Sequence, residues 1–326
     1  MRVDVESSAR LHLGFYTISS DCMAYGSMGL AIDRPEVNVQ VEKADGLKIR
    51  NLTQVMIEQD VKEVVELLNL PGAEVNVLKA IPRHVGLGST TQLRLSIAYA
   101  LSKIYNLRYN IRQLAFIIKR GWVSGVGIAA FKQGGFILDS GRIPGENGLC
   151  EPKNPDDLPN IMFRRPLPKS WHFVVAIPRG IRGFDEHEEK PILKTPETNH
   201  SLERDLHETV LLYMLPALAR RDAKNFGKAL TKVQRLVGKY FSKHQGGEFC
   251  CWETEQMIKN LLNGGAYGAG QSSWGPTAYG LIEGSKRSKK LLNHMVKSAE
   301  KIGVDSEFFI VQPRNRGFSC KIVESK

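Results

Sequence analysis

The residues best suited to chemistry lie between Pro82 and Gln92, in the run Pro-Arg-His-Val-Gly-Leu-Gly-Ser-Thr-Thr-Gln. Gly86 and Gly88 precede Ser89, Thr90, Thr91 and Gln92; beyond them Leu93, Ile97, Ala100, Leu101 and Ile104 recur at helical spacing. An apolar, strand-like run from Val75 to Ile81 leads into the loop. Glycine lets a ligand approach the main chain, and the first turn of a helix offers free N–H groups and a positive dipole end. The segment therefore has the makings of a cradle for an anion such as a polyphosphate. It is not a Walker loop, because no lysine follows the glycines, and no third glycine completes a dinucleotide fingerprint. A plain glycine turn with Ser/Thr capping would use the same residue types.

Two other segments have related chemistry. Arg10 and His12 lie two apart on a strand-like stretch, Ser8 to Phe15, hence on one face. That face can present a guanidinium fork and an imidazole to an anion; hydrogen-bonded strand residues beside a turn are the plainer alternative. The run Gly268-Ala269-Gly270-Gln271-Ser272-Ser273-Trp274-Gly275-Pro276 again sets glycines and hydroxyls before an apolar strand. Backbone N–H groups in such a turn can form an anion nest. The candidate phosphate-binding residues are thus Gly86, Gly88, Ser89, Thr90, Thr91, Gln92, Gly268, Gly270, Ser272 and Ser273.

The elements that must position these segments follow from patterning. Arg2 to Glu6 and Arg10 to Phe15 read as short strands around Ser7-Ser8, and Val37, Val39 and Val41 alternate as in a half-buried strand. Val61, Val64, Val65 and Leu68 fall at helical spacing, and Asn110 with Gln113 resembles a capping box for a helix from Ile111 to Lys119. Gly134 to Asp139 and Trp171 to Ile177 read as strands. Helices are expected over Leu202–Ala219, Ala223–Phe241 and Glu253–Leu262, then a glycine-rich loop over Gly264–Pro276. Thr277–Glu283, Lys286–Ile302 and Phe308–Gln312 close the chain as strand, helix and strand. The proline-rich stretch Arg142–Asn160 is the best boundary, dividing the chain into 1–160 and 161–326. Without strict βαβ alternation the expected class is α+β in two lobes.

With 42% hydrophobic and 24% charged residues over 326 positions, the chain has the composition of a globular protein. Its formal net charge of +11 suits an anionic ligand. No basic stripe with interleaved aromatics argues for nucleic acid. Five cysteines, with no Cys-x-x-Cys spacing, give neither a disulfide framework nor a zinc site. No apolar run approaches the ~18 residues of a membrane span. A cytoplasmic protein with reduced thiols and no membrane association is the expectation.

Taken in order and spacing, Ala9–Gly14, Pro82–Gln92 and Gly268–Pro276 resemble the three motifs of the GHMP small-molecule kinase superfamily. The resemblance spans almost the whole chain and implies the two-lobed α+β fold of that superfamily, with phosphates over the second motif. Several of its kinases carry a base in a Ser-Gly-x-Asp type segment. The matching stretch here is Ser124-Gly125-Val126-Gly127, and Gly127, which stands at the aspartate position, cannot take a proton. Homoserine kinases also lack that aspartate, so an ATP-dependent kinase remains the alternative. Steeply salt-dependent nucleic-acid binding without turnover would mark the chain instead as a basic binding module.

Within the superfamily the chain most resembles the archaeal beta-ribofuranosylaminobenzene 5'-phosphate synthase family of methanopterin biosynthesis. The resemblance rests on Ala9–Gly14, Gly86–Gln92, Val126–Phe136 and the Arg-Gly run from Arg179 followed by acids to Glu186. It implies condensation of phosphoribosyl pyrophosphate with 4-aminobenzoate or 4-hydroxybenzoate, releasing carbon dioxide and pyrophosphate, with Mg²⁺ and no organic cofactor. It implies a homodimer and small-molecule partners. It also implies that Arg10, Arg179 and Arg182 hold carboxylate or 5'-phosphate, that His12 meets phosphate or the ring substituent, and that Asp185 and Glu186 hold Mg²⁺ or ribose hydroxyls. Ser89 or Thr90 would touch the metal, and Ser124, Gly125, Gly127 and Trp274 would contact substrate, Trp274 by stacking. A solvated acidic loop at 185–189 and a packing role for Trp274 are the plainer alternatives.

Overall fold

The computed structural model describes residues 1–20, 22–146 and 148–324, and of Glu186 the backbone alone. The chain opens with two long antiparallel strands, β1 (Arg2–Phe15) and β2 (Ser27–Glu42). Val3, Val5, Leu11 and Leu13 of β1 and Val37, Val39 and Val41 of β2 are fully or almost fully buried, the alternation of strands covered on one face. β3 (Leu47–Asn51), α1 (Glu58–Leu67) and β4 (Ala73–Lys79) follow. Then come α2 (Ser89–Ile104), α3 (Ile111–Ile117), α4 (Val126–Lys132) and β5 (Phe136–Asp139). The α3 start is the expected capping box: the Asn110 side chain accepts from Gln113 N, and Gln113 Oε1 accepts from Asn110 N.

The second half contains β6 (Ile161–Arg165), β7 (Trp171–Pro178), α5 (Glu186–Leu193) and α6 (His200–Glu208). A π-helical turn over Thr209–Met214 leads to α7 (Leu215–Ala219) and the long α8 (Ala223–Gln245). The chain closes with α9 (Trp252–Asn263), β8 (Gly268–Gln271), β9 (Ala278–Glu283), α10 (Ser285–Ile302), β10 (Ser306–Val311) and β11 (Ser319–Val323).

Two sheets result, so the class is α+β. The first runs β11–β1–β2–β4–β3, with β5 on β2 and β6 on β5; the second runs β10–β7–β9–β8. The expected division at residue 160 falls between β5 and β6, which are neighbours in the first sheet, and β11 also carries the end of the chain back to that sheet. One apolar cluster joins the halves, from Leu11, Leu13 and Leu95 to Trp171, Phe173, Phe226 and Tyr279. A second lies under α9 and α10, around Met257, Leu261, Leu291 and Met295. Among the described residues no helix is long and apolar enough to cross a membrane.

Candidate active site

The three segments singled out in the sequence meet at one place. Arg10 N donates to Leu87 O at 3.1 Å, and the Arg10 guanidinium donates to Gly86 O. Ser272 Oγ donates to the same Gly86 oxygen at 2.6 Å and accepts from His12 N at 3.0 Å. Thr277 Oγ1 donates to Val85 O at 2.5 Å. These contacts need main chains in near-touch, and Gly86 permits it: at φ +86°, a Cβ there would lie 2.0 Å from Ser272 O. Gly88 takes the left-handed cap position of α2 at φ 79° and turns the loop into the helix. The hydroxyls of Ser89 and Thr90, in the first turn, make no hydrogen bond to a described residue. Thr91 Oγ1 accepts from Arg120 Nε at 3.3 Å.

These loops line a cavity of about 640 Å³. Part of its wall is aromatic: Trp274 stacks on Phe184 at 5.3 Å and meets Phe241 edge-on at 4.7 Å, with Phe15 beyond at 5.9 Å from Phe241. A register shift in β1 between His12 and Gly14 lets Phe15 join Arg10 and His12 on that wall. Another part is charged. Asp60, 1% exposed, is held by Arg83 and by Arg94 Nε at 2.6 Å, and Arg94 also pairs with Glu63. The sequence reading missed this cluster, although Arg83 and Arg94 flank the glycine–hydroxyl loop.

The electrostatics follow from burial. Withdrawal from water pushes the Arg10 guanidinium down to about 10, with Glu189 opposing and Arg120 adding to the shift. Burial, reinforced by the Arg10 charge, pushes His12 down to about 3. Its imidazole is therefore neutral, and Nδ1 accepts from Gly14 N at 3.2 Å, which puts the proton on Nε2. Asp139 supports the loop before α4: it accepts from Gly125 N at 2.7 Å, Ser27 N at 2.9 Å and Gly141 N at 3.0 Å. Burial nevertheless raises its carboxyl to about 6.

Arg10, His12, Gly86, Gly88, Ser89, Thr90, Thr91, Ser124, Gly127, Asp185, Ser273 and Trp274 all lie on the cavity wall. The structure sets the remaining candidates elsewhere. Gln92 is buried and donates to Gly127 O at 2.9 Å. Gly125 is occupied by Asp139, and Ser272 by Gly86. Gly268 and Gly270 form strand β8 rather than a nest. Their missing side chains let β8 press on α8: a Cβ on Gly268 would lie 1.9 Å from Gly227 O, and one on Gly270 2.3 Å from Gln234 Cγ. Arg179 points outward beside Asp305 at 3.6 Å, with both side chains well exposed. Arg182 reaches Asp185 at 2.6 Å and Glu188 at 3.0 Å, off the wall. Asp185 caps α5; burial is the largest single effect and pushes its carboxyl up, but the N–H groups of Glu188 and His187 and the Arg182 charge together outweigh it and hold the carboxyl low. The Glu186 side chain, expected to bind metal, lies outside the described residues. Gly127 faces Thr91, 3.2 Å from where its Cβ would be.

Family models for the GHMP kinase N-terminal domain and the GHMP kinase C-terminal domain match residues 55–135 and 214–301. The fold is shared with galactokinase from Lactococcus lactis (TM-score 0.70, 13% identity, 98% of this chain and 95% of that one). It is shared likewise with homoserine kinase from Cytophaga hutchinsonii (TM-score 0.69, 17% identity, 98% and 97%). The chain belongs to the GHMP superfamily. It is also 28% identical to the beta-ribofuranosylphenol 5'-phosphate synthase of Archaeoglobus fulgidus, over 98% of this chain and 99% of that protein. The synthase of the same name from Methanocaldococcus jannaschii is 28% identical over 96% and 98%. Within the superfamily the chain is an enzyme of this synthase family.

Proposed function

We propose that the protein transfers a phosphoribosyl group from phosphoribosyl pyrophosphate to 4-hydroxybenzoate or 4-aminobenzoate with loss of carbon dioxide, an early step of methanopterin biosynthesis. The observation that carries this reading is the pairing, in one cavity, of an open helix N-terminus with free hydroxyls and an aromatic wall. The first suits a leaving pyrophosphate, the second a benzoate ring.

The α2 N–H groups and the Ser89 and Thr90 hydroxyls would hold pyrophosphate as its bond to ribose C1 breaks. Arg10, lying across the same loop, would balance its charge. The ring carbon bearing the carboxylate then attacks C1, with Trp274, Phe184 and Phe241 fixing the ring plane. The neutral His12 offers one N–H from Nε2. The attacking carbon carries no proton, so Gly127 in place of an aspartate suits this nucleophile.

Among the described residues no group of three His, Cys, Asp or Glu side chains could hold a metal. A magnesium ion fits here as a polyphosphate complex touching Ser89 or Thr90, the usual manner for an ion that keeps its waters. When bound it would neutralise charge on the departing pyrophosphate.

The test is release of labelled carbon dioxide from carboxyl-labelled 4-hydroxybenzoate and 4-aminobenzoate, with phosphoribosyl pyrophosphate and Mg²⁺. A parallel reaction supplies ATP and candidate alcohols instead. Label released only with phosphoribosyl pyrophosphate is the expected result. No release from either acid by folded protein, with phosphate transfer from ATP, would give the kinase reading its place.

A further inference from the structure

Glu248 lies on the cavity wall between α8 and α9, against Gly238 and next to Phe249 in the chain; Phe241 and Trp274 line the same cavity. The fold makes a seat for it. A Cβ on Gly238 would lie 2.2 Å from Glu248 O and 3.0 Å from its Cγ, so the glycine leaves the space the side chain occupies. Gln245 Nε2 donates to Glu248 O at 2.9 Å and fixes the turn. The carboxylate itself is poorly served: Oε1 is buried with no hydrogen-bond partner, and the nearest cation, Arg235, is 3.9 Å away and largely exposed. Other carboxylates of the wall are committed. Asp60 and Glu63 are held by Arg83 and Arg94, Asp185 caps α5 and pairs with Arg182, and Glu189 is engaged and acts on the Arg10 charge. A carboxylate without donors keeps its lone pairs available as a base.

We propose that Glu248 is the catalytic base for the aromatic acceptor, taking the proton of the para-hydroxyl as the ring attacks and returning it when carbon dioxide leaves. This rests on the reaction proposed above.

The electron count closes. The ring carbon bearing the carboxylate gives a π pair to ribose C1, and the C1–O bond breaks with its pair leaving on pyrophosphate. A lone pair on the para oxygen fills the ring deficiency while its proton passes to Glu248, leaving a cyclohexadienone ring that is itself uncharged and still bears the carboxylate anion. The ring–carboxylate bond then breaks and its pair restores the aromatic ring as a phenolate. That oxygen takes the proton back, and carbon dioxide departs. With 4-aminobenzoate the same carboxylate faces the N–H of an iminium and stabilises its charge without transfer. The role requires the ring to lie with its carboxyl-bearing carbon toward the glycine–hydroxyl loop and its para substituent toward Glu248, which lines the same cavity.

The experiment compares wild type, Glu248→Gln and Glu248→Asp, each checked for folding by calorimetric binding of pyrophosphate with Mg²⁺. With 4-hydroxybenzoate, E248Q should lose about 10²- to 10⁴-fold in kcat, the usual yield of a positioned base. Its KM for phosphoribosyl pyrophosphate should stay near the wild-type value. The acid limb of the kcat–pH profile should vanish in E248Q, and the loss with 4-aminobenzoate should be smaller. A kcat for E248Q within a few-fold of wild type, or a change confined to the KM of phosphoribosyl pyrophosphate, overturns the assignment. If E248Q fails to bind pyrophosphate, E248D decides. A kcat lowered about tenfold or more with the acid limb kept supports the base, and a wild-type kcat refutes it. Wild-type protein that releases no carbon dioxide from either acid would instead sink the reaction itself.

Discussion

Gly86→Ala and Gly180→Ala make the same chemical change on the same kind of backbone, at φ +86° and +76°. At Gly180 an added Cβ meets nothing within 4 Å. Left-handed geometry alone then sets the effect, about 1–2 kcal/mol. At Gly86 the Cβ would lie 2.0 Å from Ser272 O and 3.1 Å from Gly275 Cα. An ordinary carbon–oxygen contact is about 3.3 Å, so the two loops must part by about 1.3 Å. Parting them breaks the Ser272 Oγ bond to Gly86 O and the Thr277 Oγ1 bond to Val85 O, 2.6 and 2.5 Å long. At about 1 kcal/mol each, these bring the expected loss at Gly86 to about 3–4 kcal/mol. Urea unfolding of both variants measures the difference. Calorimetric binding of pyrophosphate should fall about tenfold or more in G86A and stay unchanged in G180A. Equal stabilities for the two variants would refute the claim that this junction, rather than the glycine's backbone freedom, is what Gly86 provides.

Two further substitutions test the joints of the site. His12 binds a proton more weakly folded, at about 3, than unfolded, near the ordinary 6.5. Its neutrality therefore contributes stability above about pH 6.5 that is lost as pH falls toward 3, about 2 kcal/mol by pH 5. His12→Asn keeps an acceptor for Gly14 N but does not titrate. The stability of wild type minus that of H12N, from urea unfolding, should fall by that amount between pH 7.5 and 5, and a difference constant with pH would contradict the buried neutral imidazole. Gln234, buried in α8, donates to Leu13 O at 2.9 Å and accepts from Gln271 N at 2.7 Å, tying the first sheet to the second. Gln234→Leu orphans a buried carbonyl and a buried N–H and should cost about 2–5 kcal/mol; a loss under about 1 kcal/mol would mean that the two sheets do not depend on this bridge.

What the sequence made legible was local. The glycine–hydroxyl loop, the α3 capping box and the long amphipathic helices all carry their signals within a few residues. What it hid depended on distant partners. Gly268 and Gly270 look like nest glycines until Gly227 and Gln234 come up against them, and Gly-Ala-Gly-Gln contains no branched residue to mark a strand. Ser7-Ser8 reads as a break, yet β1 continues past it with only a register shift between Ser8 and Arg10, and Ser7 Oγ finds Ser96 Oγ at 3.0 Å inside the core. Asp60 reads as one more acid on α1; only the approach of Arg83 and Arg94 buries it. Arg179 and Arg182 followed the opposite course, since the run that suggested a binding loop pairs with Asp305, Asp185 and Glu188 instead. Glu248 gave no signal, because what distinguishes it is a shortage of partners, and partners are set by the fold.

The positions of Gly127 and Glu248 belong to one argument about where a base is needed. An alcohol attacking phosphorus must lose the proton on the attacking oxygen, so a base is useful at the nucleophile. A benzoate attacking through carbon has no proton on that atom, and the acidic hydrogen sits across the ring on the para substituent. Gly127 lies against Thr91, where a carboxylate would crowd the phosphate loop and repel pyrophosphate. Glu248 lines the cavity just beyond α8, against Gly238. Under the proposed reaction no carboxylate is needed at Gly127, and the base belongs at the para substituent instead. Gly127→Asp should therefore not create a better enzyme. It should weaken pyrophosphate binding, measured by calorimetry, and leave the acid limb that depends on Glu248 in place. Tighter pyrophosphate binding or a gain in carbon dioxide release by G127D would break the link between base position and nucleophile.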